Sequence, residues 1–115
     1  MDIRVAVAVG KPEVNTVRLS GRLDATTSET AQPAILGALD KSGAGLILNM
    51  ASVDFVSSAG LRIMMMLIKK ATADGKRVAV VGTQPPIYKI FKIAALDKVF
   101  RFFEEEGEAV RVLWP

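Results

Sequence analysis

The 115-residue sequence contains no cysteine and no histidine. Without cysteine there is no disulfide framework and no thiol chemistry. Without histidine the chain lacks the side chain that most often serves as general base or zinc ligand near neutral pH. Aromatic residues are sparse, at 6%, and the net charge of +3 comes from 15 basic and 12 acidic residues scattered along the chain. No dense basic stripe with interleaved aromatics is present, so no direct nucleic-acid partner is expected. No apolar run reaches the roughly 18 residues of a membrane helix. The start, MDIRVAVAVG, has neither the charged region nor the apolar core of a signal peptide. The expectation is a single cytoplasmic domain that does not associate with a membrane.

Motifs for common chemistries are missing as well. A phosphate-binding loop needs GxxxxGK[ST], but Gly10-Lys11 is followed by Pro12. A dinucleotide fingerprint needs GxGxxG after a strand, whereas Gly43-Ala44-Gly45 precedes one and lacks the third glycine. The acidic cluster of a phosphorylatable receiver domain is absent from the strand ends VAVG and NMAS. Asp24 and Asp54 remain as a lone acid pair, which reads more simply as turn or cap residues. A serine nucleophile would have no histidine to activate it. The chain is therefore expected to be no enzyme, with no cofactor and no metal.

What the sequence does hold is a core and an alternation of elements. Half of the residues are apolar. Residues 3–9 and 14–20 read as strands joined by a short turn with Gly10 and Pro12, which implies an antiparallel pair. Ala31, Ile35, Leu36 and Leu39 recur at helical spacing. Pro33 belongs in a first turn, so this helix is predicted to begin near residue 30, with Thr26, Thr27 or Ser28 available as cap and Gly43 after its end. Residues 45–50 form a nearly all-apolar strand, residues 58–74 a helix stopped by Gly75, and residues 77–82 another strand. TQPPIYKIFKIAAL gives a third helix, residues 98–103 a last strand, and EEEGEAVRVL a last helix. Helices alternating with strands imply βαβ units. The predicted fold class is α/β: a mostly parallel central sheet of four to five strands, an antiparallel N-terminal edge strand, and helices packed against it.

The second helix has a wide apolar surface. Leu61, Met64 or Met65, Ile68 and Ala71 make one stripe for the sheet, while Ile63, Met66 and Leu67 lie to one side near Arg62, Lys69 and Lys70. A neighbouring helix can cover that excess, or it can meet a partner, since methionine suits adaptable binding surfaces.

Two short stretches then carry a resemblance. Phe55-Val56-Ser57-Ser58-Ala59-Gly60-Leu61 joins a strand to this helix, and Gly21-Arg22-Leu23-Asp24 with Thr26 and Thr27 ends the second strand. Together with the element order, they resemble the STAS domain of anti-sigma factor antagonists across nearly the whole chain. The departure lies at Ser57, where the best-known members have aspartate, and at Ala59, where they have a second serine. The resemblance implies a phosphorylation-controlled binding switch. The unmodified protein would sequester an anti-sigma factor, often itself a serine kinase. Phosphorylation of the serine at the helix start would end binding, and a PP2C-type phosphatase would reverse it. Ser58 is the implied phosphoacceptor, with Ser57 second. Asp24, Thr26, Thr27, Ser57, Ala59, Gly60, Arg62, Ile63 and Met66 are the implied partner surface of a monomer or weak homodimer. Ser58 is also expected to cap its helix, which would hold its hydroxyl at the surface. The alternatives are a scaffold-type STAS domain of a stressosome or sensory assembly, and a small-molecule or nucleotide-sensing module.

Overall fold

A computed structural model describes residues 1–115. Two strands open the chain, β1 (Asp2–Ala8) and β2 (Lys11–Leu23). They pair antiparallel from Asp2 opposite Ser20 to Val7 opposite Asn15, and the register slips after Val7. The turn between them fits because Gly10 takes φ 76°, which an L side chain resists.

Next come α1 (Ala25–Lys41), β3 (Gly45–Val56), α2 (Ser58–Asp74), β4 (Arg77–Val81), α3 (Pro85–Ile93), a 3₁₀ turn (Leu96–Lys98), β5 (Arg101–Phe103) and α4 (Glu106–Leu113). The strands make one five-stranded sheet in the order β1-β2-β3-β4-β5. Only β1 runs antiparallel to its neighbour. The α/β expectation with an antiparallel edge strand is met.

Strand alternation divides the core. Val17, Leu19, Leu46, Leu48, Val78 and Val80 face α1, α2 and α3 in the larger cluster. Val14, Ile47, Ala79 and Val81 face the other way, onto Ala109, Leu113 and Trp114 at and after α4. Period-two alternation is what lets one strand serve two layers. Gly45 allows Trp114 to close the second layer: a Cβ there would lie 2.6 Å from the Trp114 ring and closer still to the Arg77 carbonyl.

Four elements differ from expectation. Strand β2 runs Lys11–Leu23 rather than 14–20, so Pro12 lies in the strand and not in the turn. Helix α1 begins at Ala25 rather than near residue 30, so Pro33 lies inside it. The proline removes the bond to the Glu29 carbonyl, but both residues are exposed and water can serve that carbonyl. Its cost, about 3 kcal/mol in a helix interior, is offset by the cap at Asp24 and by burial of Ala31, Ile35, Ala38 and Leu39. Strand β3 continues past Met50 to Val56, because ASVDFV keeps pairing with β2 through two register shifts. Strand β5 is shorter than expected, since Leu96–Lys98 turn as a 3₁₀ segment.

Candidate functional site

Strands β2 and β3 are parallel neighbours, so the turns after them lie side by side at one end of the sheet. Leu23 pairs with Val56 at that end, and the Ser57 N–H donates to the Leu23 carbonyl at 2.9 Å. This bond joins the Asp24 turn to the start of α2. The two sequence stretches singled out above, 32 residues apart at Asp24 and Val56, thus become one surface.

The Asp24 turn is a reciprocal cap. Asp24 Oδ1 accepts from the backbone N–H of Thr26 at 3.1 Å and of Thr27 at 3.0 Å. In return Thr27 Oγ1 accepts from the Asp24 N–H at 2.9 Å and donates to the Arg22 carbonyl at 2.7 Å. The cap is therefore Asp24, not Thr26, Thr27 or Ser28. Thr26 is left exposed, and Ser28 is buried. These bonds, the Thr27 N–H foremost, hold the Asp24 carboxyl below its ordinary range, with a smaller contribution from the Arg22 guanidinium.

At α2 the cap lies one residue earlier than expected. Ser57 occupies the N-cap with extended backbone, and Ser58 is the first helical residue. The Ser57 hydroxyl makes no cap bond, and it is shielded from solvent with no hydrogen-bond partner. Ser58 is exposed. The first helical bond runs from the Leu61 N–H to the Ser57 carbonyl at 3.0 Å, so no side chain satisfies the first-turn N–H groups ahead of it.

Gly60 sets how close this helix start can come. A Cβ on Gly60 would lie 2.9 Å from Leu23 Cγ and from Val56 Cγ1. Gly60 is buried and offers no surface to a partner, which corrects its place in the expected surface. Its approach also fixes the rotation of α2. Gly60, Ile63, Met64, Leu67 and Ala71 face the core. Ile63, only 1% exposed, is a core residue rather than a partner contact. Leu67 is buried with it, while Leu61 and Ile68, expected on the sheet side, are only half-buried. Of the three methionines, Met64 is buried, Met66 half-buried, and Met65 51% exposed. Arg62 is exposed and Ala59 half-buried on the outer side of the first turn.

One feature of this surface carries no signal in the sequence alone. The Arg22 guanidinium stacks over the Phe55 ring at 4.0 Å and lies 3.7 Å from Asp24 Oδ2. Arg22 fills the variable position of Gly21-Arg22-Leu23-Asp24, and strand alternation alone turns it outward beside buried Leu23. Its partner across the sheet, Phe55, needs the β2–β3 register to be found.

Residues 6–109 match the family model described as the STAS domain. The chain belongs to the STAS domain family. This STAS domain is 26% identical, over 98 residues, to the anti-sigma F factor antagonist of Paenibacillus polymyxa, covering 84% of each chain. Its fold is similar to that of an anti-sigma factor antagonist from Mycobacterium paratuberculosis, with TM-score 0.83, 24% identity and coverage of 99% and 96% of the two chains. It is also similar to the Bacillus cell fate determinant SpoIIAA in its phosphorylated form, with TM-score 0.73, 21% identity and coverage of 96% and 99%. No helix of the STAS domain is long and apolar enough to cross a membrane.

Proposed function

We propose that this STAS domain is an anti-sigma factor antagonist, a binding module without enzymatic activity, switched off by phosphorylation of Ser58. The observation that carries the reading is the exposed Ser58 on the first turn of an uncapped helix, hydrogen-bonded through Ser57 to the Asp24 turn. The name of the Paenibacillus relative supports it, as does the existence of SpoIIAA in a phosphorylated form. The partner is an anti-sigma factor with serine-kinase activity, and a PP2C-type phosphatase resets the switch. Asp24, Thr26, Thr27, Ala59, Arg62 and Met66 make up the contact surface, with Arg22 and Phe55 added beside them. Ser57 supports that surface from beneath, because its hydroxyl is shielded from a kinase.

A phosphate on Ser58 would add about −1.5 to −2 charge at neutral pH. Within its own chain it meets the positive end of the α2 dipole and free N–H groups, so the fold tolerates it. Within an interface the same charge must be desolvated, and a loss of about 4 kcal/mol lowers affinity by about three decades. The switch thus acts on association and leaves the domain folded. The test is incubation with the kinase-like anti-sigma factor and ATP, followed by mapping of phosphate by mass spectrometry. The expected product carries phosphate on Ser58 and none on Ser57; absence of both complex and phosphate contradicts the reading.

A scaffold role in a larger assembly has one observation in its favour. The β1 edge is unpaired, and Val5 and Val7 on it, with Val9 in the turn that follows, are exposed. Light scattering after size exclusion separates the two readings: a monomer or weak homodimer fits an antagonist, a large homo-assembly fits a scaffold.

A further inference from the structure

The same end of the sheet carries a second concavity, on the far side from β1. It is a cleft of about 370 Å³ lined by Thr83, Tyr88, Phe102, Phe103, Glu104 and Glu108. These residues come from the segment after β4, from α3, from β5 and the turn after it, and from the start of α4. Tyr88 meets Phe102 edge-to-face, with ring centroids 5.0 Å apart and planes at 86°, which fixes both rings. Phe103 already holds the Arg101 guanidinium 5.7 Å from its centroid, and Phe102 also packs against Phe91 and Phe100 with centroids 5.8 and 6.5 Å away, so the ring left with exposed surface for a guest is Tyr88.

Charge points to the kind of guest. Glu104 and Glu108 belong to none of the ion pairs of the chain. Glu108 Oε1 accepts from the Glu104 backbone N–H at 3.3 Å, which holds its carboxylate at the rim. The Thr83 hydroxyl is without a partner in the folded chain. Aromatic faces are negative, and two unmatched carboxylates beside them repel an anion and resist desolvation by a neutral apolar group.

We propose that this cleft binds an organic cation, a guanidinium or alkylammonium group, between the Tyr88 ring and the Glu104 and Glu108 carboxylates, with Phe102 as a wall of the cleft. The cation is a basic side chain of a protein or a free amine; the recognising chemistry is the same. No residue of the Asp24–Ser58 surface takes part, so the site stands independently of the switch.

The test is a ¹H–¹⁵N NMR titration of the whole chain with three probes: Nα-acetyl-arginine amide, choline, and the uncharged carbon isostere of choline. The expected result is a saturable shift of the Thr83, Tyr88, Phe102, Glu104 and Glu108 amides with at least one cation and none with the isostere. A Glu104→Gln/Glu108→Gln variant is expected to bind that cation about tenfold more weakly or worse. Both glutamates are exposed, so the fold should persist, and the variant spectrum checks it. Binding of the arginine derivative alone identifies a protein side chain as the natural guest, and binding of choline alone a free quaternary amine. The proposal is overturned if neither cation gives a saturable shift, if the isostere binds equally well, or if the double variant binds unchanged.

Discussion

Ser57 and Ser58 are adjacent, identical and differently employed. The Ser57 hydroxyl is buried and bonds to nothing, so Ser57→Ala removes an unsatisfied group and no hydrogen bond. Its expected effect on stability is within about 0.5 kcal/mol, or slightly favourable. Asp24→Ala removes a cap that satisfies two backbone N–H groups, and should cost about 1–2 kcal/mol. Urea unfolding of the two variants side by side checks the contrast. Sequence alone favours Ser58 as the cap, because two consecutive serines carry the same local signal. What decides between them is where β3 stops pairing with β2, a property of the strand pair and not of either serine. Gly60 carries a sharper expectation. Gly60→Ala places a methyl against Leu23 and Val56 and should destabilise by about 1–3 kcal/mol, while weakening partner binding by moving the helix start.

Among the elements, α1 and α2 were legible to different degrees. The bounds of α2 follow from a Gly75 terminator in left-handed backbone and a long apolar period, both local signals. Its facing is legible only in part: Met64 and Ala71 face the core as expected, but several apolar stripes are available on LRIMMMLIKKA, and the close approach at Gly60 buries Ile63 and Leu67 more fully than Leu61 and Ile68. For α1 the rule that proline starts a helix gave a start near residue 30. The cap at Asp24 and four buried apolar residues outweigh that rule and carry the helix through Pro33. Pro33→Ala is therefore expected to stabilise the domain, by up to about 3 kcal/mol, with no change in partner binding, since Pro33 lies in the interior of α1, away from its Asp24 cap, and is none of the residues of the proposed contact surface. Thermal unfolding and a binding isotherm on the same variant measure both halves.

At the scale of the whole molecule, the alternation of helices and strands was enough to give the parallel sheet and its antiparallel edge. The tie between its two layers was not readable. Glu106 accepts from Arg18 Nε at 2.9 Å and Nη2 at 2.8 Å, and from Asn49 Nδ2 at 2.7 Å, joining α4 to β2 and β3. Arg18 and Glu106 are 88 residues apart, so no local pattern relates them. The Arg18 hydrogen bond holds the Glu106 carboxyl below its ordinary value of 4.5 in the fold. A depressed folded pKa gives stability that is present above the unfolded value and is lost as pH falls through the folded one. Wild type should therefore lose stability on acidification below about pH 4.5, and Glu106→Gln should flatten that limb while lowering stability at neutral pH. Denaturant midpoints across the acid range test the sign.

The central claim is that a charge on Ser58 ends association and spares the fold. Its most direct test is calorimetric titration of the kinase-like anti-sigma factor with the protein before and after phosphorylation, with the ¹H–¹⁵N spectrum recorded on the same samples. The account predicts a complex for the unmodified chain, at least about a hundredfold weaker binding after phosphorylation, and spectral changes confined to the α2 start and the Asp24 turn. Equal affinity before and after, or a spectrum showing the phosphorylated domain unfolded, would contradict it.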